Sequence, residues 1–291
     1  MKNIQMLVLM LLVLIPLSAT KYAGEVFAIS PGVQASAMGG TGLTYSDSFA
    51  AGWWNPALLA LNPDPGVELM RSQHFEGLMD QNQLSILLGR TNSSSLMINH
   101  LVIEDIKLTR IPHPDQPIGP DNRPYVYKTV DNQDFIIYGG IARSIRPKLH
   151  LGLAPKLAYR SLAEHGGYAF GADLGMLWMP ASNARLGLNL RDFFSTQVFW
   201  EGGEHELVTP NLDIELGYEL SVLKKFPMHV AIRSEWRADD IESSVNFGSL
   251  GADLHAGMAI APIPALKVMA GYDIDAFTAG LGVKYKVFGI N

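Results

Sequence analysis

From Val67 to the C-terminal end, apolar and polar residues alternate along the chain, with turn-forming residues between the alternating segments. In Asn211–Val222, for example, Leu212, Ile214 and Leu216 alternate with Asp213 and Glu215. A period of two predicts β-strands with one apolar and one polar face. We predict about twelve such strands: Val67–Phe75, Gln83–Arg90, Ser94–Ile103, Gln133–Arg143, Lys148–Leu162, Gly167–Met179, Ala184–Asp192, Asn211–Val222, Pro227–Arg237, Leu250–Ala261, Ala265–Asp275 and Phe277–Val287.

Most of the predicted strands contain about 9 to 13 residues, which is close to the length that a tilted strand needs to cross a bilayer. Strands of soluble sandwiches usually have about 5 to 6 residues. A soluble sandwich would show the same alternation, with its apolar residues in a shared core. The strand lengths favour a membrane barrel over this alternative.

The predicted connections alternate in length. Those after strands 2, 4, 6, 8 and 10 are short: Asn92-Ser93, Ser144–Pro147, Pro180–Asn183, Leu223–Phe226 and Pro262–Pro264. Those after strands 3, 7 and 9 are long: Glu104–Asn132, Phe193–Pro210 and Ala238–Ser249. Short periplasmic turns and long extracellular loops are typical of outer-membrane barrels.

Composition points the same way. Hydrophobic residues make up 48% of the chain and charged residues only 17%, whereas about a quarter is charged in soluble domains. After the N-terminal region no apolar run is long enough for a helical span. We therefore expect an all-β fold, a transmembrane antiparallel β-barrel of about 12 strands, with 14 strands as the alternative. The net charge of −6 gives no reason to expect a nucleic-acid partner.

The N-terminus reads as an export signal. A basic start at Lys2 precedes an apolar run from Met6 to Leu17 and the small residues Ser18 and Ala19. We assign residues 1–28 to a signal peptide, cleaved after Ala19 or Ala28, with a short N-terminal anchor as the alternative. The chain has no cysteine, which excludes a lipid-modified N-terminus and disulfides. The expected location is the outer membrane of a diderm bacterium.

Residues 29–66 are rich in glycine, alanine and serine. The run Ala37–Gly42 contains three glycines, but a phosphate-binding loop needs a surrounding βαβ unit, and none follows. Glycines also let backbones pack closely in a confined space. We predict that residues 29–66 form a plug inside a barrel of residues 67–291.

Two N-terminal elements resemble the signature of the FadL-like outer-membrane proteins, nearest the PorV/PorQ branch: Met38-Gly39-Gly40, and Asp47 followed by Trp54-Asn55-Pro56-Ala57. The resemblance implies a barrel with its N-terminal segment folded into the lumen. It also implies either transport of hydrophobic substrates, as in FadL proteins, or a shuttle or scaffold role in type IX secretion, as in PorV proteins. The family has fourteen strands, two more than the pattern predicts here.

Two sets of residues are candidates for function. Plug residues that would contact a ligand are Phe49, Trp53, Trp54, Asn55, Pro56, Leu58 and Leu59. A ladder of opposite charges on the inward faces is formed by Arg185, Arg191, Asp213, Glu215, Glu219, Arg233, Glu235 and Arg237. The ladder would brace a wet lumen, whereas a hydrophobic ligand needs an apolar cavity, which the plug residues would supply. The alternative is that the plug residues only close and rigidify the barrel.

The sequence contains no signature of an enzyme, a metal site or a cofactor. Ser234 is predicted to face outward and the nearby His229 and His255 inward, so they cannot form a hydrolase pair. His205 lies between two glutamates in a loop that lacks further metal ligands. Passive transport of small hydrophobic molecules is the expected function, and a type IX scaffold is the alternative. The expected partners are membrane lipid and either a hydrophobic small molecule or secretion-machinery proteins.

Overall fold

The computed structural model describes residues 24–61, 64–89, 93–222, 225–238, 243–248, 250–285 and 288–290. Residues 1–23 of the predicted signal peptide lie outside the described residues. So do Asn92 and Leu223, which belong to two of the predicted turns. None of the helices in the described ranges is long and apolar enough to cross a membrane.

The described residues form sixteen strands in one sheet, and every paired neighbour is antiparallel. They are β1 (Gly66–His74), β2 (Met79–Leu87), β3 (Ser94–Arg110), β4 (Tyr125–Arg146), β5 (Leu149–Leu162), β6 (His165–Trp178), β7 (Ala184–Arg191), β8 (Gln197–Trp200), β9 (His205–Leu207), β10 (Asn211–Val222), β11 (Phe226–Arg237), β12 (Val245–Phe247), β13 (Leu250–Ile263), β14 (Leu266–Asp273), β15 (Ala276–Tyr285) and β16 (Phe288–Ile290). Thirteen of them follow one another in chain order, while β8, β9 and β12 lie beside this path.

All twelve predicted strands are present, but the predicted number of strands is too low. The four additional strands β8, β9, β12 and β16 have only three or four residues, too few for alternation to be recognised. The predicted loop Glu104–Asn132 is also largely wrong. Strands β3 and β4 stay paired as far as Arg110 and Tyr125, so only residues 111–124 connect them.

The connections differ in length between the two ends of the strands. The end that we call the turn end carries the short connections β2–β3, β4–β5, β6–β7, β10–β11 and β13–β14. The other end, the loop end, carries the longest ones, between β3 and β4, between β7 and β10, and between β11 and β13. The loop end also carries the short connections β1–β2, β5–β6 and β14–β15. Short connections throughout one end and the longest ones at the other are typical of outer-membrane barrels.

The two faces of the wall have opposite character. Leu216 of β10 and Ile232 of β11 are direct partners, and they are 64% and 65% exposed. Their inward neighbours Asp213, Glu215 and Arg233 are buried. A soluble sandwich would bury the first pair and expose the charged residues. The observed arrangement is that of a transmembrane β-barrel.

The interior of the sheet is filled by residues 24–61, which we call the interior segment. It contains three short helices, α1 (Glu25–Ala28), α2 (Val33–Ala37) and α3 (Ala51–Trp54), followed by the 3₁₀ helix Pro56–Leu61. Helix α2 packs on β14 and β15, α3 packs on β3 and β4, and the 3₁₀ helix packs on β4, β5 and β6. Because one short segment contacts strands far apart in the sheet order, the sheet curves around it.

Candidate ligand cavity and its supports

A belt of inward-facing glycines receives the interior segment. At each of them an added Cβ would lie within 3 Å of a segment atom. The glycine belt consists of Gly66, Gly140, Gly152, Gly175, Gly187, Gly217, Gly257, Gly271 and Gly280. A Cβ on Gly152 would lie 2.3 Å from the carbonyl carbon of Pro56, and one on Gly271 would lie 2.2 Å from the backbone nitrogen of Gly39. The segment therefore contacts the wall at glycines on nine strands, and at Gly152, Gly187, Gly257 and Gly271 the contact is with the segment backbone.

Glu215 binds the middle of the interior segment. The backbone N–H groups of Gly42, Leu43 and Thr44 donate to its carboxylate at 2.8, 3.0 and 2.8 Å, and the hydroxyl of Thr44 donates at 2.5 Å. Hydrogen bonds to a charged acceptor are stronger than neutral ones. Glu215 was predicted to join the charge ladder; in the structure its hydrogen bonds go to the segment backbone because Leu43 crosses the bore beside Gly187.

Asn55 is a second support. Its side-chain N–H donates to the carbonyl oxygens of Leu43 at 2.8 Å and Met176 at 3.0 Å, and its carbonyl oxygen accepts from the N–H of Ala57 at 3.0 Å. The side chain is fully buried. It therefore ties the turn before the 3₁₀ helix to strand β6.

At the turn end, Tyr45 stacks on His229 with ring centroids 4.6 Å apart and donates to Asp47 at 2.9 Å. Burial, together with the negative charge of Asp47, raises the pKa of the Tyr45 hydroxyl above its ordinary value. The hydroxyl therefore stays protonated and keeps donating. Lys267 of β14 forms an ion pair with Asp47.

Toward the loop end, the inward face carries what we call the arginine cluster: Arg191, Asp213, Arg233, Glu235, Arg237 and Asp253. Arg191 Nε lies 2.6 Å from Asp213, and Arg233 Nη1 lies 3.6 Å from the other oxygen of the same carboxylate. Arg233 Nη2 also lies 2.9 Å from Glu235. Five of the eight predicted ladder residues are thus together in one cluster.

The other predicted ladder residues lie apart from this cluster. Arg185 pairs with Glu219 and donates to the carbonyl oxygen of Thr44 at 3.0 Å. The predicted ladder did not include Asp253 or His255, although both occupy alternate inward positions of β13. It also missed Lys156, whose ammonium lies 2.9 Å from Asp173 and 2.6 Å from Asp192 in the buried interior.

A cavity of about 260 Å³ lies between the arginine cluster, the interior segment and residues 208–211. The indole rings of Trp53 and Trp54 line it, together with Phe27 and Val208. The guanidinium of Arg191 lies 3.8 Å from the ring centre of Trp53. The cavity thus combines aromatic surfaces with arginine side chains.

Among the predicted ligand-contact residues, Trp53 and Trp54 line this cavity and five do not. Phe49 packs against Gly66, and Leu59 packs against Gly140. Leu58 lies in a small core with Leu177. Pro56 and Asn55 lie against the glycine belt at Gly175. Four of these five residues therefore contact glycines of the belt, and Leu58 packs on the wall at Leu177.

The structure offers no arrangement for hydrolysis in its described part. Ser234 faces outward and accepts a hydrogen bond from the Trp236 indole at 3.0 Å, while His255 faces inward and contacts Arg233. Among the described residues, no group of His, Asp and Glu is placed to hold a metal ion.

No protein-family model matches the chain, and no curated protein matches it. Among solved structures, the toluene transporter TodX of Pseudomonas putida matches with a TM-score of 0.54 at 13% identity, covering 88% of this chain and 89% of that one. A second structure of P. putida TodX matches with a TM-score of 0.50 at 14% identity, covering 89% of each chain. The TM-scores show that the chain shares the fold of these toluene transporters. This fold agrees with the barrel and interior N-terminal segment that the resemblance of the N-terminal motif implied.

Proposed function

We propose that this protein is an outer-membrane channel that carries small hydrophobic molecules passively across the membrane. The observation that carries the proposal is the tryptophan-lined cavity inside a barrel whose outer face is apolar. The fold shared with a toluene transporter supports it. In this proposal the signal peptide predicted within residues 1–28 is cleaved after Ala19, the earlier of its two predicted sites, because Glu25 and Phe27 line the cavity. Residues 29–66 are the plug, residues 67–291 form the barrel, and membrane lipid covers Leu216, Ile232 and their outward neighbours.

The glycine belt favours selective passage over a general water-filled pore. Close contacts between the segment and glycines of nine strands leave little room for hydrated ions. A molecule that first binds in a small cavity suits this interior better than free diffusion does. We therefore expect low ion conductance in planar bilayers.

Uptake by whole cells tests the proposal. A diderm host that produces the protein is expected to take up radiolabelled toluene faster than the same host without it. Trp53→Ala is expected to lower the initial rate about threefold at low toluene concentration, because an aromatic contact of roughly 0.5–1.5 kcal/mol is lost. Trp178→Ala, which removes an indole from the outer face, is the matched control. Equal uptake with and without the protein would refute the proposal.

A scaffold role of the PorV/PorQ kind in type IX secretion is the second candidate. One observation favours it: the β3–β4 hairpin continues to Arg110 and Tyr125, whereas β5 ends its pairing with β4 at Gln133. The hairpin therefore extends beyond its neighbour and presents exposed residues at the loop end. Affinity purification from detergent extracts, with and without residues 104–131, tests this role. Recovery of the barrel alone from both would count against it.

A further inference from the structure

The charges around the cavity are unfavourable for an anionic ligand. Three arginines line it, Arg191, Arg233 and Arg237, and so do four carboxylates, Glu25, Asp192, Glu235 and Asp273. Each of the three arginines already contacts a carboxylate. A ligand that brought another negative charge would therefore enter a site whose positive charges are already compensated, away from bulk water.

Two hydrogen-bond donors in the same place are unused by the protein. Arg191 Nη2 and Arg233 Nε are buried and find no acceptor among the described residues. The two residues are 6% and 4% exposed, and their guanidinium groups meet at Asp213. A buried donor without an acceptor is costly. A ligand oxygen that accepts from these groups would remove this cost without adding a charge.

The shape and size of the cavity favour one aromatic ring. Trp53 and Trp54 line the cavity and contact each other edge to face, with ring centroids 4.8 Å apart. The volume of about 260 Å³ lies just below the range of about 300–1,000 Å³ that is usual for drug-sized ligands. A single-ring compound is therefore the expected size.

From these three observations we propose that the cavity binds an uncharged single-ring aromatic compound with an oxygen acceptor next to the ring, such as an aromatic ketone, aldehyde or ester. This inference rests on the proposed transport function and names its substrate class. The ring lies against the tryptophans, and the oxygen accepts from Arg191 and Arg233. Hydrocarbons lack the acceptor, and aromatic acids carry the disfavoured charge.

Three ligands of nearly equal shape test the inference on the natural chain. Acetophenone has the carbonyl; α-methylstyrene replaces its oxygen by a methylene group; benzoate replaces its methyl group by a charged oxygen. Equilibrium dialysis of the purified barrel, against detergent of the same concentration without protein, gives the three affinities. We expect acetophenone to bind about tenfold more tightly than either of the others, since a hydrogen bond to a charged donor is worth this factor. Equal binding of α-methylstyrene, or tighter binding of benzoate, would overturn the inference.

Arg233→Met tests the donors directly. In this variant Asp213 still forms its ion pair with Arg191, and Glu235 still forms its ion pair with Arg237, so the remaining charges stay paired. Acetophenone is expected to bind about tenfold more weakly, while the affinity for α-methylstyrene stays the same. Arg71→Met, which removes an exposed arginine of β1, is the matched control. An equal loss for both ligands would show that Arg233 only supports the fold of the cavity.

Uptake measurements separate the two proposals. A barrel that speeds the uptake of α-methylstyrene as much as that of acetophenone, and binds both equally, would keep the transport function and remove the ketone preference. A barrel that binds acetophenone preferentially but speeds no uptake would keep the site and refute transport.

Discussion

The barrel contacts its interior segment in two contrasting ways. At the glycine belt the wall lacks side chains, and backbone meets backbone at Gly152, Gly271 and their neighbours. At the arginine cluster the wall presents long charged side chains, and a cavity remains between them and the segment. The belt therefore leaves no space between the wall and the segment, whereas a cavity remains beside the cluster.

The two regions are sensitive to opposite changes. The belt depends on space, so adding a single methyl group disturbs it while changing no charge. The cluster depends on charge balance in a region shielded from water, so an isosteric neutral substitution disturbs it while changing no volume. This difference can be measured with conservative single substitutions.

The largest effect is expected at the cluster. Asp213→Asn removes the carboxylate shared by Arg191 and Arg233 and leaves buried guanidinium charge without its partner. Breaking a buried ion pair on one side costs about 3–5 kcal/mol. Guanidinium chloride unfolding in detergent, followed by tryptophan fluorescence, measures the loss. Asp80→Asn, which breaks the exposed pair with Arg71, is expected to cost less than about 1 kcal/mol. Equal losses for both variants would mean that the cluster is as solvated as the surface.

The next effect is expected at the belt. In Gly152→Ala the new methyl group would lie 2.3 Å from Pro56 and 2.4 Å from the backbone nitrogen of Ala57. Neither backbone atom can move without unseating the 3₁₀ helix, so we expect a loss of about 3 kcal/mol, at the upper end for overpacking. Ion conductance in planar bilayers is expected to rise if the segment is displaced instead.

Gly139→Ala is the control for the belt. Its new methyl group would lie 3.6 Å from Pro155, an ordinary contact distance, on the same strand as Gly140 of the belt. It is expected to change neither stability nor conductance. If Gly152→Ala behaves in the same way, the segment is not held as tightly as the contacts indicate.

The sequence predicted those features of the fold that depend on the alternation of apolar and polar residues. The outward position of Leu216 and Ile232 and the inward position of Asp213 and Arg233 follow from a period of two, because shifting a strand by one residue would exchange its faces. The twelve long strands were found for the same reason. The short strands β8 and β12 were missed because three or four residues carry no periodic signal.

The site could be predicted only in part. It depends on which part of the interior segment packs against which residues of the wall, and the alternation pattern does not determine these contacts. Trp53 and Trp54 were predicted as ligand contacts from their aromatic character and their position in the predicted plug. Phe27 and Val208 were not, since nothing local places α1 or the chain after β9 beside the tryptophans. The role of Glu215 was missed because its direct partner on β11 is Arg233, which suggested an ion pair, whereas its hydrogen bonds go to the interior segment.

The smallest of the three effects is expected at Glu215, where the two regions meet. Its carboxylate accepts from three backbone N–H groups and one hydroxyl. In Glu215→Gln the amide N–H₂ group would face donors that it cannot satisfy, and the charge would be lost. We expect a loss of about 2 kcal/mol, the value of hydrogen bonds to charged groups, measured by unfolding as above.

Glu219→Gln is the matched control for Glu215. It makes the same substitution four residues further along the same strand and on the same face, where the carboxylate is 38% exposed and pairs with Arg185. Water replaces that interaction, so we expect less than about 1 kcal/mol. Proteolysis adds a second readout: cleavage within residues 41–45 should rise for Glu215→Gln and stay at its natural level for Glu219→Gln. If both variants lose the same stability and neither is cleaved faster, the belt alone holds the segment and Glu215 adds only local packing.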